Sequence, residues 1–109
     1  SAPVNVPQEV RYGEPSVYPT ALVNAVYDKC FELKTVDRVW LKAMYVGMVI
    51  QYALFVEAEK VDANLADTLK ETAEKESKGV TVVVMKTDKK IMDTIIQDAV
   101  ALYDKELDF

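Results

Sequence analysis

The chain has 109 residues, half of them hydrophobic and 28% charged, which is the balance of one globular domain and argues against an intrinsically disordered chain. With no histidine, one cysteine and three scattered glycines it excludes Ser-His-Asp and Cys-His catalysis, zinc or di-iron sites and glycine-rich phosphate loops, so no metal, no cofactor and no enzymatic activity are expected. Its net charge of −5 comes from residues 57–78 and 88–109, and without a basic stripe direct nucleic-acid binding is not expected either.

Residues 1–19 read as an extended arm. Pro3, Pro7, Pro15 and Pro19 forbid a continuous helix, while Val4, Val6, Val10 and Tyr12 alternate with polar or proline positions as in an edge strand. A first helix is predicted from about Ser16 to Lys34, with Val23, Val26, Cys30 and Leu33 on one face. Cys30 falls on that face and reads as buried filler, since no histidine is present to activate it. Thr35 would cap the next helix, with Asp37 in its first turn.

Residues 36–61 predict a central helix that is apolar on nearly every side through its middle, its interior polar residues Lys42 and Gln51 pointing in opposite directions. Two heptad-type seams run along it. One is Val36, Trp40, Ala43, Gly47, Ile50, Leu54, in which Ala43 and Gly47 would let another helix pack closely; the other is Leu41, Tyr45, Met48, Tyr52, Phe55. The strip between them, Val49, Ala53 and Val56, is apolar too, which makes Tyr45, Val49, Tyr52, Ala53 and Val56 a candidate interface. Lys42 interrupts the run and leaves it shorter than a membrane crossing, so no span is expected.

A third helix is predicted from Asn64 to Lys78, capped by Asp62 or Asn64 and stopped by Gly79. Asp62 and Asn64 also open a calcium-loop spacing, but Ala66, Asp67 and Ala73 stand where that loop needs a ligand, a glycine and a glutamate. Val80–Met85 is the clearest strand and needs a partner. The arm is the candidate within the chain, through Val4, Val6, Val10 and Tyr12 against Val82 and Val84; the same strand of a second chain is the other. A last helix follows, capped by Thr87 or Asp88 and running to about Glu106.

These elements predict one mainly α domain over residues 1–109: a four-helix bundle-like core at 20–109 with an arm and one short strand. Its expected role is protein–protein interaction, as a homo-oligomeric assembly or structural protein of the build common among small viral or accessory proteins. The alternative is an acidic regulator or inhibitor that binds another protein through its C-terminal acidic helices. A soluble, intracellular protein is expected, no secretory leader being visible from Ser1 onward; a leader already cleaved is equally compatible with that start.

Overall fold

In the computed structural model, which describes residues 9–107, the chain runs β1 (Val10–Gly13), α1 (Thr20–Leu33), β2 (Arg38–Val46), β3 (Val49–Glu57), α2 (Ala63–Glu74), β4 (Val82–Lys86), α3 (Lys89–Ile91) continued by a π-helical turn (Met92–Ile96), and β5 (Tyr103–Asp104). This is a mixed α/β fold, which overturns the expected four-helix bundle. The decisive segment is the apolar run itself: Gly47 breaks it into two nine-residue strands. Gly47 has φ +61° while Met48 keeps a negative φ, so the two-residue loop has the form of a type II′ turn, whose twist suits a tight hairpin. Valine, tryptophan, tyrosine and phenylalanine on either side favour the pleated conformation.

The sheet order is β1-β2-β3-β4, antiparallel except for the parallel β3–β4 pair, and β5 joins the same edge of β2 as β1. Helices cover both faces. On one, Leu22, Val26 and Cys30 of α1 and Leu69 and Ala73 of α2 pack on Val39, Leu41, Leu54, Val56 and Val82. On the other, Ile96 of the π turn, joined by Ile91 and Met92, packs on Trp40, Met44, Ala53 and Phe55. A strand buried on both faces shows no alternation, and a helical wheel drawn on it finds seams by accident. Lys42 and Gln51, opposed on such a wheel, lie on the same face of the sheet in register with Ala53 and Met44.

Other boundaries move for local reasons. α1 begins at Thr20 after Pro19, and its C-cap Lys34 takes a left-handed φ of 62° with its N–H on the Cys30 carbonyl. Asp62 caps α2 by accepting from the Leu65 N–H at 2.9 Å, but the helix ends at Glu74, ahead of Gly79. Asp88 caps α3 in the same way, accepting from Ile91 N–H at 2.7 Å. The expected long terminal helix is absent: the π turn closes at Gln97, at φ 49° and ψ −120°, and the chain leaves as an irregular loop. The pairing predicted for Val10 and Tyr12 of the arm against Val82 and Val84 is also overturned, since β1 pairs with β2 and β4 with β3; Val4 and Val6 lie outside the described residues.

Candidate interaction surfaces

The β2–β3 hairpin reaches beyond its helical cover. At its tip Met48 is 99% exposed, Val49 58% and Ile50 53%, and the register brings Val10 of β1 beside them through the row Val10, Val46, Val49. The neighbouring row, on the opposite face, is Arg11, Tyr45, Ile50. β4 pairs with β3 only from Tyr52 onward, so the edge of β3 at Val49–Gln51 has no neighbouring strand among the described residues. Charge is distributed to match: residues 38–56 contain no aspartate or glutamate in a chain that carries 18.

The other end of the hairpin is polar and braced. Arg38 donates from Nε and Nη2 to the two carboxylate oxygens of Glu57, both at 2.7 Å, and its guanidinium lies 4.7 Å from the Trp40 ring centre. These donated hydrogen bonds hold the Glu57 carboxyl below its ordinary range, and the same hydrogen bond raises Arg38. With Asp37, Asp104, Lys105 and Glu106 they line an open pocket of about 810 Å³. Two of the arginine's donors are already engaged there, so it acts as a strut across the strand pair. Cys30 lies under the sheet, and burial pushes its thiol up to about 12, far from a reactive thiolate at neutral pH. Among the described residues no group of three or more Cys, Asp or Glu is placed to hold a metal ion, and no helix is long and apolar enough to cross a membrane.

The residues singled out from sequence scatter. Ala53 and Val56 are fully buried, on opposite faces of the sheet, so they cannot form a strip with Val49. Tyr52 is partly buried against the α1–α2 core, and Tyr45 is half-buried opposite Ile50. Ala43 is buried between Gly13 and Tyr52 in the sheet, and Gly47 forms the hairpin turn; neither packs a helix. Val10 and Tyr12 lie in β1, Tyr12 edge-on to Phe55 at 5.6 Å, while Val82 and Val84 face the α1–α2 core. Val4 and Val6 fall outside the described residues. Met48, Ile50 and the Arg38–Glu57 brace were missed; the available signal was a Gly-X pair between two β-rich runs of equal length.

A mixed sheet between helical layers, with an apolar hairpin tip exposed beyond them, defines a small α/β domain. The profile of the SseB protein C-terminal domain matches residues 4–105, and the chain belongs to that family. No curated protein and no solved structure matches it.

Proposed function

We propose that this domain is a non-enzymatic protein-interaction module that self-associates through the tip of its β2–β3 hairpin. The observation that carries the reading is the exposed apolar tip, with Met48 at the turn, Val49 and Val10 in one row on one face and Ile50 on the other, next to a strand edge unpaired among the described residues. A second copy is the occupant that the charge pattern favours. Two chains of net charge −5 repel at most orientations, and the hairpin strands carry no acid from 38 to 56, so they can approach there with few opposing carboxylates, exposed Glu9 beside Gly47 being the acid next to the turn. Symmetric contact also places the same apolar residues on both sides of the interface.

Light scattering coupled to gel filtration tests this. The expected mass is a multiple of 12.3 kDa, and Ile50→Asp is expected to return the monomer mass without lowering the melting temperature of dilute protein. A wild-type protein that stays monomeric at about 100 μM, where even a weak specific contact is substantially populated, would overturn the proposal.

A further inference from the structure

β1 and β5 share one edge of β2 without meeting. β1 covers Ala43–Val46 and β5 covers Arg38–Val39, so the intervening residues have no strand beside them on that edge. Alternate positions along β2 and its two flanks turn backbone groups toward it: Lys105 N–H donates to the Asp37 carbonyl at 2.8 Å, Leu102 N–H to the Val39 carbonyl at 2.8 Å, and Gly47 N–H to the Glu9 carbonyl at 3.3 Å. Leu41 belongs to the same alternation. Its N–H and C=O have no partner on this edge among the described residues, although both of its flanks are paired. Its side chain is packed in the α1–α2 core, so what Leu41 presents to the pocket of about 460 Å³ at this break is its peptide.

The walls of that pocket have a definite chemistry. Glu14 and Asp98 supply two carboxylates, Tyr18 and Val100 supply exposed apolar surface, and among the described residues no cation lines it. Lys42 donates to Glu14 Oε1 at 2.6 Å, with its side chain only 10% exposed, and offsets part of that charge; among the described residues Asp98 has no such partner. The wall that bears Asp98 and Val100 is fixed in place, since Trp40 Nε1 donates to the Ala99 carbonyl at 3.0 Å and Gln97 takes its positive φ just before.

We infer that the break at Leu41 is a docking slot for an extended basic peptide segment of a partner protein. One residue of the segment completes the β2 ladder by exchanging hydrogen bonds with Leu41, flanking lysine or arginine side chains meet Asp98 and Glu14, and alternate apolar side chains lie on Tyr18 and Val100. Charge complementarity argues for a foreign basic strand over a second copy, because two copies would bring like charge together here. The slot is separate from the hairpin tip, so either can fail without the other.

The test uses amide exchange and chemical shifts of the ¹⁵N-labelled protein with the peptide Ac-Thr-Val-Lys-Val-Lys-Val-NH₂ as probe. The Leu41 amide is expected to exchange freely at first and to become protected on saturation. N-methylation of the central valine, which removes one donor, is expected to weaken binding about tenfold, and Asp98→Lys to weaken it severalfold at unchanged melting temperature. Ile50→Asp should bind the probe like the wild type, whatever it does to self-association. A Leu41 amide already protected in the free protein would mean that the chain fills its own slot and would overturn the inference. So would shifts centred on Met48–Ile50, equal binding of the N-methylated probe, or no binding at about 1 mM, a concentration at which even a weak contact registers.

Discussion

At the base of the β2–β3 hairpin Val39, Leu54, Phe55 and Val56 are fully buried, whereas at its tip Met48, Val49 and Ile50 stand in solvent, although both ends are strongly apolar. Composition does not separate them; coverage does. α1 and α2 close one face of the base and the α3 region closes the other, and neither layer extends to the turn. An apolar residue at the base therefore contributes to folding through removal from water, while one at the tip makes no such contribution within the chain.

The largest expected effect lies at the base. Phe55→Ala removes a ring packed against Tyr12 and buried among Trp40 and Ile96, and should cost about 4 kcal/mol in urea unfolding. A loss below about 1 kcal/mol would mean that the second core is loosely packed, and base and tip would then differ less than their burial indicates.

Next comes the junction. Gly47→Val should cost about 2 kcal/mol, through conformation alone: a Cβ added there meets nothing within 4 Å, but a β-branched residue resists φ +61°. Unfolding at unchanged m-value checks this, and a neutral result would show that the hairpin tolerates another turn type.

Much of the local structure was legible in the sequence, because caps and helix faces are short-range. Asp62 and Asp88 announce their helices by the spacing of one oxygen to an amide three residues on, and Val23, Val26 and Cys30 announce a face by period. The hairpin was not legible by periodicity, because alternation survives only where one sheet face is wet and β2 and β3 are covered on both. Residues 88–106 failed differently. Ile91, Ile95 and Ala99 carry a helical period, yet the π turn and Gln97 stop the helix so that Trp40 can take the Ala99 carbonyl and Tyr103 can enter the opposite core, edge-on to Tyr27 at 5.5 Å. Those are long-range demands, and a local pattern does not contain them. The tip was visible in part: Val49 was singled out, but grouped with Ala53 and Val56, which a strand hides in two different cores.

The polar brace at the base gives a smaller, pH-dependent effect. Glu57 is held below the ordinary 4.5, so its stabilisation is complete above that value and is lost as pH falls through the lowered folded-state value. Both partners are about a third exposed, so the expected loss is about 0.5 kcal/mol, seen as extra slope in stability below about pH 4.5 that Glu57→Gln abolishes. Identical pH profiles for the two proteins would remove the brace from the stability of the base.

The smallest effect on the fold is expected at Met48, and it separates the two ends most sharply. With its side chain almost wholly in solvent, Met48→Ser should leave the unfolding free energy of dilute protein within about 0.5 kcal/mol of wild type. If the tip self-associates as proposed, stability rises with protein concentration, because association draws only on the folded state. Wild type should therefore melt higher as its concentration is raised, and Met48→Ser should show a weaker dependence from the same dilute baseline. Parallel concentration dependence in both proteins would place the self-contact away from the hairpin tip, and a lower baseline for Met48→Ser would give the tip a part in the fold that its exposure denies.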